Sequence, residues 1–499
     1  MNTPEAAGEP RPAGEPGPGD GALGDWPPHV LEENGALLLA RLRRHFERLR
    51  ETPVRVPSTP VRVRTLLDGE PPAEPEDFET VLADTFRHVV PHLVQWNHPG
   101  FHAYLPNSSS GPGILAETLA AALNPNAMLW HTSPAASALE ETVLRWLAGL
   151  AGYPPDAEAV LLSGASSATF TALAAARDAL PGLDIRERGL AGRADLPVLR
   201  VYTSDQAHSS VDKAAIALGA GLANVVRLPT DSSYRLRPGV LDAALRADRA
   251  GGMLPLAVVA TLGTTAVGAL DPVPRLAEVC ARHGVWLHVD AAYGGLWRAT
   301  DTPRDVLPAI DAADSVVVNP HKTLFTPMHA SALYCRRRGA LAGAFRLVPE
   351  ILRTDDAGGP TDFMDRSLEL GRGFRALKIW WLIRCFGTRG IAARMERLLG
   401  LAEELRRRVL AAPGWELTAD AVLPVVCLRH LPPGVGRQET DAFNARLLDR
   451  VNAIGDVFLS HAVLRDGYTL RVAFGNLHSR AEDVDQVWWR LRGAAAGEF

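Results

Sequence analysis

The sequence predicts an α/β protein whose main domain is a mostly parallel sheet with helices on both faces. Two observations carry this. Seven short apolar runs lie between residues 159 and 335, and helical stretches separate most of them. Runs that are apolar throughout belong to strands buried on both faces, and alternation of strand with helix is the pattern of parallel pairing. The strands are expected at 159–162, 198–203, 224–228, 256–261, 285–290, 314–319 and 332–335. Ligands of such sheets sit at the carboxyl ends of the strands.

The chain has 499 residues, enough for two or three domains. Residues 1–27, rich in Pro, Gly, Glu and Ala, cannot bury enough apolar surface to offset their ordering entropy, so disorder is expected there. Residues 28–110 form an N-terminal helical segment. Apolar residues recur every three or four positions over 31–49 and 77–96, and the prolines of 53–63 predict an extended connector between them. These helices are too few to enclose a core and are expected to pack across a second subunit. Residues 111–377 make the large domain. Residues 378–499 make a smaller α+β domain: a long helical stretch, the strand runs VLPVVCLRH and GYTLRVAFGN, and a closing helix.

Composition narrows the function. The chain is 47% hydrophobic and 22% charged, with a formal net charge of −5. That balance argues against a nucleic-acid or anionic-membrane partner. No apolar run reaches the ~18 residues of a membrane span. The N-terminus lacks the basic flank and apolar stretch of a secretory leader, so a cytoplasmic location is expected. Cys280, Cys335, Cys385 and Cys427 are scattered and predict buried free thiols rather than disulfides or a zinc site. His283 and His288 lack metal-ligand spacing, so no metal is expected.

Five motifs carry chemistry. In DSVVVNPHKT, Lys322 follows a buried strand through Asn319, Pro320 and His321. A lone lysine is usually a solvated surface group. One held in a partly desolvated pocket has a lowered pKa and can form a Schiff base with an aldehyde. In VWLHVDAAYGG, Asp290 ends a strand, where a turn or capping role is the commoner one. Its functional reading is a carboxylate paired with a pyridinium nitrogen, with Ala291, Ala292, Gly294 and Gly295 small enough for a flat ring to approach. In AVLLSGASSATF, Gly164, Ala165 and Ser166 open a helix whose free N–H groups suit a phosphate. His208 of DQAHSS suits stacking on a ring, although a lone histidine there is more often a cap. Thr265 of ATLGTT suits a hydrogen bond at the ring's edge. Singly, each motif favours the bland reading. Together they place an anion cup, a stacking ring, a carboxylate and a lysine at one sheet edge, and pyridoxal 5'-phosphate is the cofactor they fit.

With HPGFHAYLP, AFRL and FRALK added, the sequence resembles the group II pyridoxal-phosphate-dependent amino acid decarboxylases, the relatives of aromatic-L-amino-acid decarboxylase, from about residue 98 to 476. The resemblance implies the fold type I, aspartate-aminotransferase-like architecture and an obligate homodimer with active sites at the subunit interface. It implies decarboxylation of an L-amino acid, aromatic in side chain, through a Schiff base and a quinonoid intermediate. By motif, Ala165 and Ser166 take the phosphate, His208 stacks on the ring, and Thr265 meets its hydroxyl. Asp290 and Ala292 contact the pyridine, and Asn319 and His321 flank the Schiff-base Lys322. Trp96, Tyr104, Leu105 and Pro106 match the substrate pocket, joined by Asn126 and Met128 of the other subunit.

The sequence departs from the family at three places. Thr323 stands where a bulky aromatic is usual. Leu105, Asn126 and Met128 are less aromatic than their counterparts in the animal enzymes. Ile351 replaces the loop tyrosine that protonates the α-carbon, and no tyrosine occurs between Tyr334 and Tyr468. In the family, loss of that tyrosine goes with reaction with O2 and an aldehyde product, so amine and aldehyde both stay open. Aminotransferase chemistry is a weaker alternative, with Arg372 and Arg375 as candidate carboxylate clamps. A silent cofactor-binding homologue is the alternative from outside enzymology.

Overall fold

The computed structural model describes residues 24–301, 306–347 and 361–498. The segment 1–23, most of the tail expected to be disordered, and Ile351 lie outside them. The described chain forms two compact units: one of the residues up to Leu49 with Thr59–Pro91, the other of Arg50–Ser58 with His92 onward.

The first unit holds the helices Pro28–Glu47, Pro60–Leu67 and Phe78–Asp84, none of which buries a residue. The helix Pro60–Leu67 corrects the extended connector expected there. Thr59 accepts the Arg62 N–H at 3.2 Å and Pro60 sits in the first turn, where its missing N–H costs nothing. The prolines thus start a helix instead of preventing one.

In the second unit seven strands form one sheet: β1 (Glu158–Leu162), β2 (Leu199–Ser204), β3 (Val225–Leu228), β4 (Leu254–Thr261), β5 (Trp286–Asp290), β6 (Ser315–Val318) and β7 (Ser331–Cys335). All seven expected strands are present. Their order is β1-β7-β6-β5-β4-β2-β3, and only β7 runs against the rest. Every residue of β1, β5, β6 and β7 is buried, as continuous apolar runs require. A second sheet, β10-β11-β9-β8, is antiparallel: β8 (Trp415–Leu417), β9 (Val425–His430), β10 (Ser460–Leu464) and β11 (Gly467–Ala473). The helix Ala376–Ala411 links the two regions and breaks direction at Gly387, whose φ of 65° is one that glycine adopts without strain. Of the four free cysteines Cys385 is exposed, contrary to expectation; the other three are buried. Among the described residues no helix is long and apolar enough to cross a membrane.

A buried ion pair fastens the sheet to the segment that leads into it. Arg372 Nη2 lies 2.5 Å from Glu140 Oε1 and donates to Leu161 O, while its Nη1 donates to Ala127 O. Glu140 Oε1 also accepts the Leu161 N–H at 2.9 Å. Both side chains are almost fully buried. Removing one partner strands the other charge in a low-dielectric interior. Glu140→Ala is therefore expected to destabilise the fold by about 3–5 kcal/mol, read as a lower urea midpoint at unchanged slope.

Candidate active site

The sheet's carboxyl edge assembles the site. Parallel register pairs Thr261, the last residue of β4, with Asp290, the last of β5, and Asp290 with Val317 of β6. Chain direction therefore brings Asn319, His321 and Lys322, just past β6, beside Asp290. β1 delivers Ser163 and Gly164 at the same edge, and His208 follows β2. A cavity of about 250 Å³ opens there. Lys322, Asp290, His208, Thr265, Ala292, Asn319, His321, Ala165, Ser166 and Leu105 all line it.

Each of these groups is held by a local device. Lys322 lies in the single helical turn Pro320–Thr323, its N–H donating to Asn319 O at 2.9 Å. Burial lowers its pKa, and Asp290 partly opposes the shift. Asp290 Oδ1 accepts the Ala292 N–H at 3.1 Å. His208 Nδ1 accepts the Ser210 N–H at 3.1 Å, which leaves the proton of the neutral ring on Nε2. Its pKa is lowered first by burial, against Asp290. Thr265 sits on a tight turn closed by Gly263 N–H to Ala269 O, Gly268 N–H to Thr264 O and Ala269 N–H to Thr264 Oγ1. Asp271 anchors that turn by accepting the Thr261 and Leu236 N–H groups at 2.8 and 2.6 Å. Thr323, in the position of the usual aromatic, is buried and donates to Asn319 O at 3.4 Å.

Other expectations are redistributed. Gly294 and Gly295 do not make room for a ring; they make room for the protein. A Cβ on Gly294 would lie 2.5 Å from Leu262 O, and one on Gly295 2.7 Å from Val318 Cγ1. Pro106 is buried against Gly475, where a side chain would collide with its carbonyl. Trp96 and Tyr104 are exposed and stacked, with ring centroids 6.1 Å apart, and do not line the cavity. Asn126 is exposed and Met128 half-buried, and both stand away from it in this chain. Arg372 is consumed by Glu140 and carbonyls, and Arg375 pairs with Glu369 at 2.9 Å, so neither is a substrate clamp in the cavity. His283 pairs with Asp242, and His288 with Ser315 Oγ.

Ser163, Thr261, Gly263, Tyr293, Met328 and His329 also line the cavity, and sequence reasoning missed them. Thr261 lies inside ATLGTT and Tyr293 inside VWLHVDAAYGG, so strand-end position within motifs already read could have found them. Met328 and His329 lie in an irregular stretch before β7 that no periodicity marks.

The pyridoxal-dependent decarboxylase conserved domain matches residues 60–431. The chain belongs to the pyridoxal-dependent decarboxylases. It is 36% identical over 448 residues to the aromatic-L-amino-acid decarboxylase of Sus scrofa, covering 88% of this chain and 90% of that one. It is 33% identical to the phenylacetaldehyde synthase of Arabidopsis thaliana, covering 92% and 94%. The crystal structure of Oryza sativa TDC with PLP and tryptamine superposes with a TM-score of 0.91 at 29% identity, covering 96% of this chain and all of that one. The fold is thus that of the fold type I pyridoxal enzymes. This decarboxylase is a carboxy-lyase whose cofactor is pyridoxal 5'-phosphate. Its cavity fits that group. Among the described residues no side chain caps the helix Ala165–Asp178, whose first residues line the cavity, so its first N–H groups are free for an anion. Asn319 Oδ1 and Thr261 Oγ1 are buried without partners among the described residues, as in a site waiting for polar atoms.

Buried imidazoles set the pH response of this fold. Burial pushes His102, His288 and His321 each down to about 4, so all three are neutral when folded at neutral pH. Unfolded histidine titrates near ~6.5. Their stability contribution is complete above that value and is lost as pH falls toward about 4. Asp271, pushed up to about 6 by burial, has the opposite sign: its contribution is present below the ordinary carboxylate range and lost as pH rises through about 6. Three groups outweigh one. The urea midpoint is expected to fall between about pH 7.5 and about pH 5, and a rise over that interval would contradict the assignment.

Proposed function

We propose that this decarboxylase removes the α-carboxyl group of an L-amino acid with an aromatic side chain and releases the amine. The convergence of Lys322, Asp290 and His208 on one cavity beside an uncapped helix start is the observation that carries the reading. Similarity to aromatic-L-amino-acid decarboxylase supports the substrate class.

Ala165 and Ser166 would hold the cofactor's phosphate, Asp290 and Ala292 its pyridine, His208 its face, Thr265 its hydroxyl edge, and Asn319 and His321 would flank the lysine. When bound, pyridoxal phosphate supplies an electron sink for the pair left behind as CO2 departs. Lys322 contributes an amine that burial makes easier to deprotonate, which attack on an aldehyde requires. Asp290 contributes a fixed negative charge that keeps a ring proton in place. His208, its Nδ1 tied to the backbone, presents a ring of settled orientation. Buried Leu105 offers the substrate side chain an apolar wall.

We also propose a homodimer, in which Trp96, Tyr104 and Pro106 border the pocket and Asn126 and Met128 reach the cavity of the other copy. Apolar residues in need of cover support this: Leu31 and Leu39 on one unit, Leu115 and Leu123 on the other, all well exposed.

Ile351 favours a second reading, decarboxylation followed by oxidation to an aldehyde, the product named for the phenylacetaldehyde synthase relative. Loaded enzyme incubated in air with aromatic L-amino acids separates the two: amine and CO2 without peroxide for the first, aldehyde, ammonia and peroxide for the second. Lys322→Ala is expected to abolish covalent cofactor attachment. After borohydride treatment and denaturing gel filtration, the wild-type chain should retain the cofactor's absorbance and the variant lose it. Retention by the variant would remove Lys322 from its role.

A further inference from the structure

Three imidazoles line the cavity, and only two are committed. His321 is buried, with Nδ1 3.0 Å from the Ala330 nitrogen and Nε2 3.5 Å from Asn319 Nδ2. His208 spends Nδ1 on the Ser210 N–H. Neither ring nitrogen of His329 has a hydrogen-bond partner among the described residues, and its side chain is exposed at the cavity. The stretch that carries it is nevertheless well anchored. On one side Phe325 is buried and its carbonyl accepts the Ser110 N–H at 2.9 Å. Pro327 fills the space beside Gly113, where a Cβ would meet it at 2.5 Å. On the other side the Ala330 backbone meets Nδ1 of His321, next in sequence to Lys322, with the Ala330 oxygen at 2.5 Å and the Ala330 nitrogen at 3.0 Å. A free imidazole is therefore held at the site by a backbone pinned at both flanks.

We propose that His329 is a catalytic residue: it delivers the proton that the α-carbon takes up once CO2 has left. The inference rests on the decarboxylase reading above and names the donor that Ile351 cannot be. In the step, the bond from the α-carbon to the carboxylate breaks and CO2 departs without the bonding pair. An N–H bond of protonated His329 then breaks, the α-carbon gains that proton, and the amine forms with no oxidant. The neutral imidazole recovers a proton from solvent, to which it is open. Imidazole suits the task because a positioned ring N–H is a common general acid. Without the proton the same centre is open to O2, which takes two electrons and leaves as hydrogen peroxide; hydrolysis then yields aldehyde and ammonia.

The test compares wild-type and His329→Gln holoenzymes in air with L-tryptophan and L-tyrosine, following CO2, amine, aldehyde and peroxide together. The variant is expected to keep releasing CO2 while its amine-to-aldehyde ratio falls by about 100-fold, the usual scale for loss of a positioned acid. An unchanged ratio, or a wild-type enzyme that makes aldehyde alone, overturns the proposal and leaves decarboxylation standing. No CO2 from the wild-type enzyme sinks the decarboxylase reading and this inference with it. A second readout needs no turnover. Carbethoxylation of His329 in the wild-type holoenzyme, mapped by peptide mass spectrometry, should drop several-fold when tryptamine or tyramine fills the cavity. Equal labelling with and without the amine would show that the residue does not touch the ligand.

Discussion

Parallel pairing of β4, β5 and β6 is the constraint on which the site depends. The register that sets Thr261 against Asp290 and Asp290 against Val317 leaves no freedom in which residues become neighbours past the strand ends. A slip by one residue would exchange the faces of every side chain in the strand. Burial of every residue of these strands but the first of β4 makes such a slip expensive, so hydrophobic packing deep in the sheet fixes polar geometry at its edge. Lys322 then needs only one helical turn to come within electrostatic reach of Asp290.

Polar groups at that edge are left imperfectly satisfied. Asn319 Oδ1 and Thr261 Oγ1 are buried without partners among the described residues, and Lys322 is an amine whose charged form burial disfavours. Each is a cost to the folded state that a bound polar ligand can recover. The structure offsets them with groups that make several bonds nearby. Asp271 accepts two backbone N–H groups, and Arg372 joins Glu140 to two carbonyls. Rigidity beside the cavity and incompleteness inside it belong to one arrangement.

Much of the fold was legible because strands of a covered sheet leave an apolar record, and all seven were read from it, the half-exposed edge strand β3 included. β8 and β10 left no such run: β8 is only partly buried along its length, and β10 mixes polar with apolar residues. The helix Pro60–Leu67 was hidden because proline both breaks and begins helices, and only the Thr59 cap decides which. At the site, residues next to strand ends were readable because position and chemistry coincide there. Gly294 and Gly295 were noticed for the wrong reason, since a sequence shows that space is needed but not what occupies it. His329 was missed because its importance comes from a backbone path, pinned through Phe325 and Ala330, that no local pattern encodes.

The reversed strand β7 has a consequence for how the protein is made. β1 touches the sheet only through β7, with Glu158 opposite Cys335 and Leu162 opposite Ser331. During synthesis β1 leaves the ribosome long before its partner exists, and it must wait, apolar and unpaired, while β2 to β6 emerge. The helix start at Ala165 follows directly from β1, so the anion cup can take its final place only after residue 335 has been made. Until then the nascent chain carries an orphan hydrophobic strand, the kind of segment that chaperones bind and that aggregates when they are scarce.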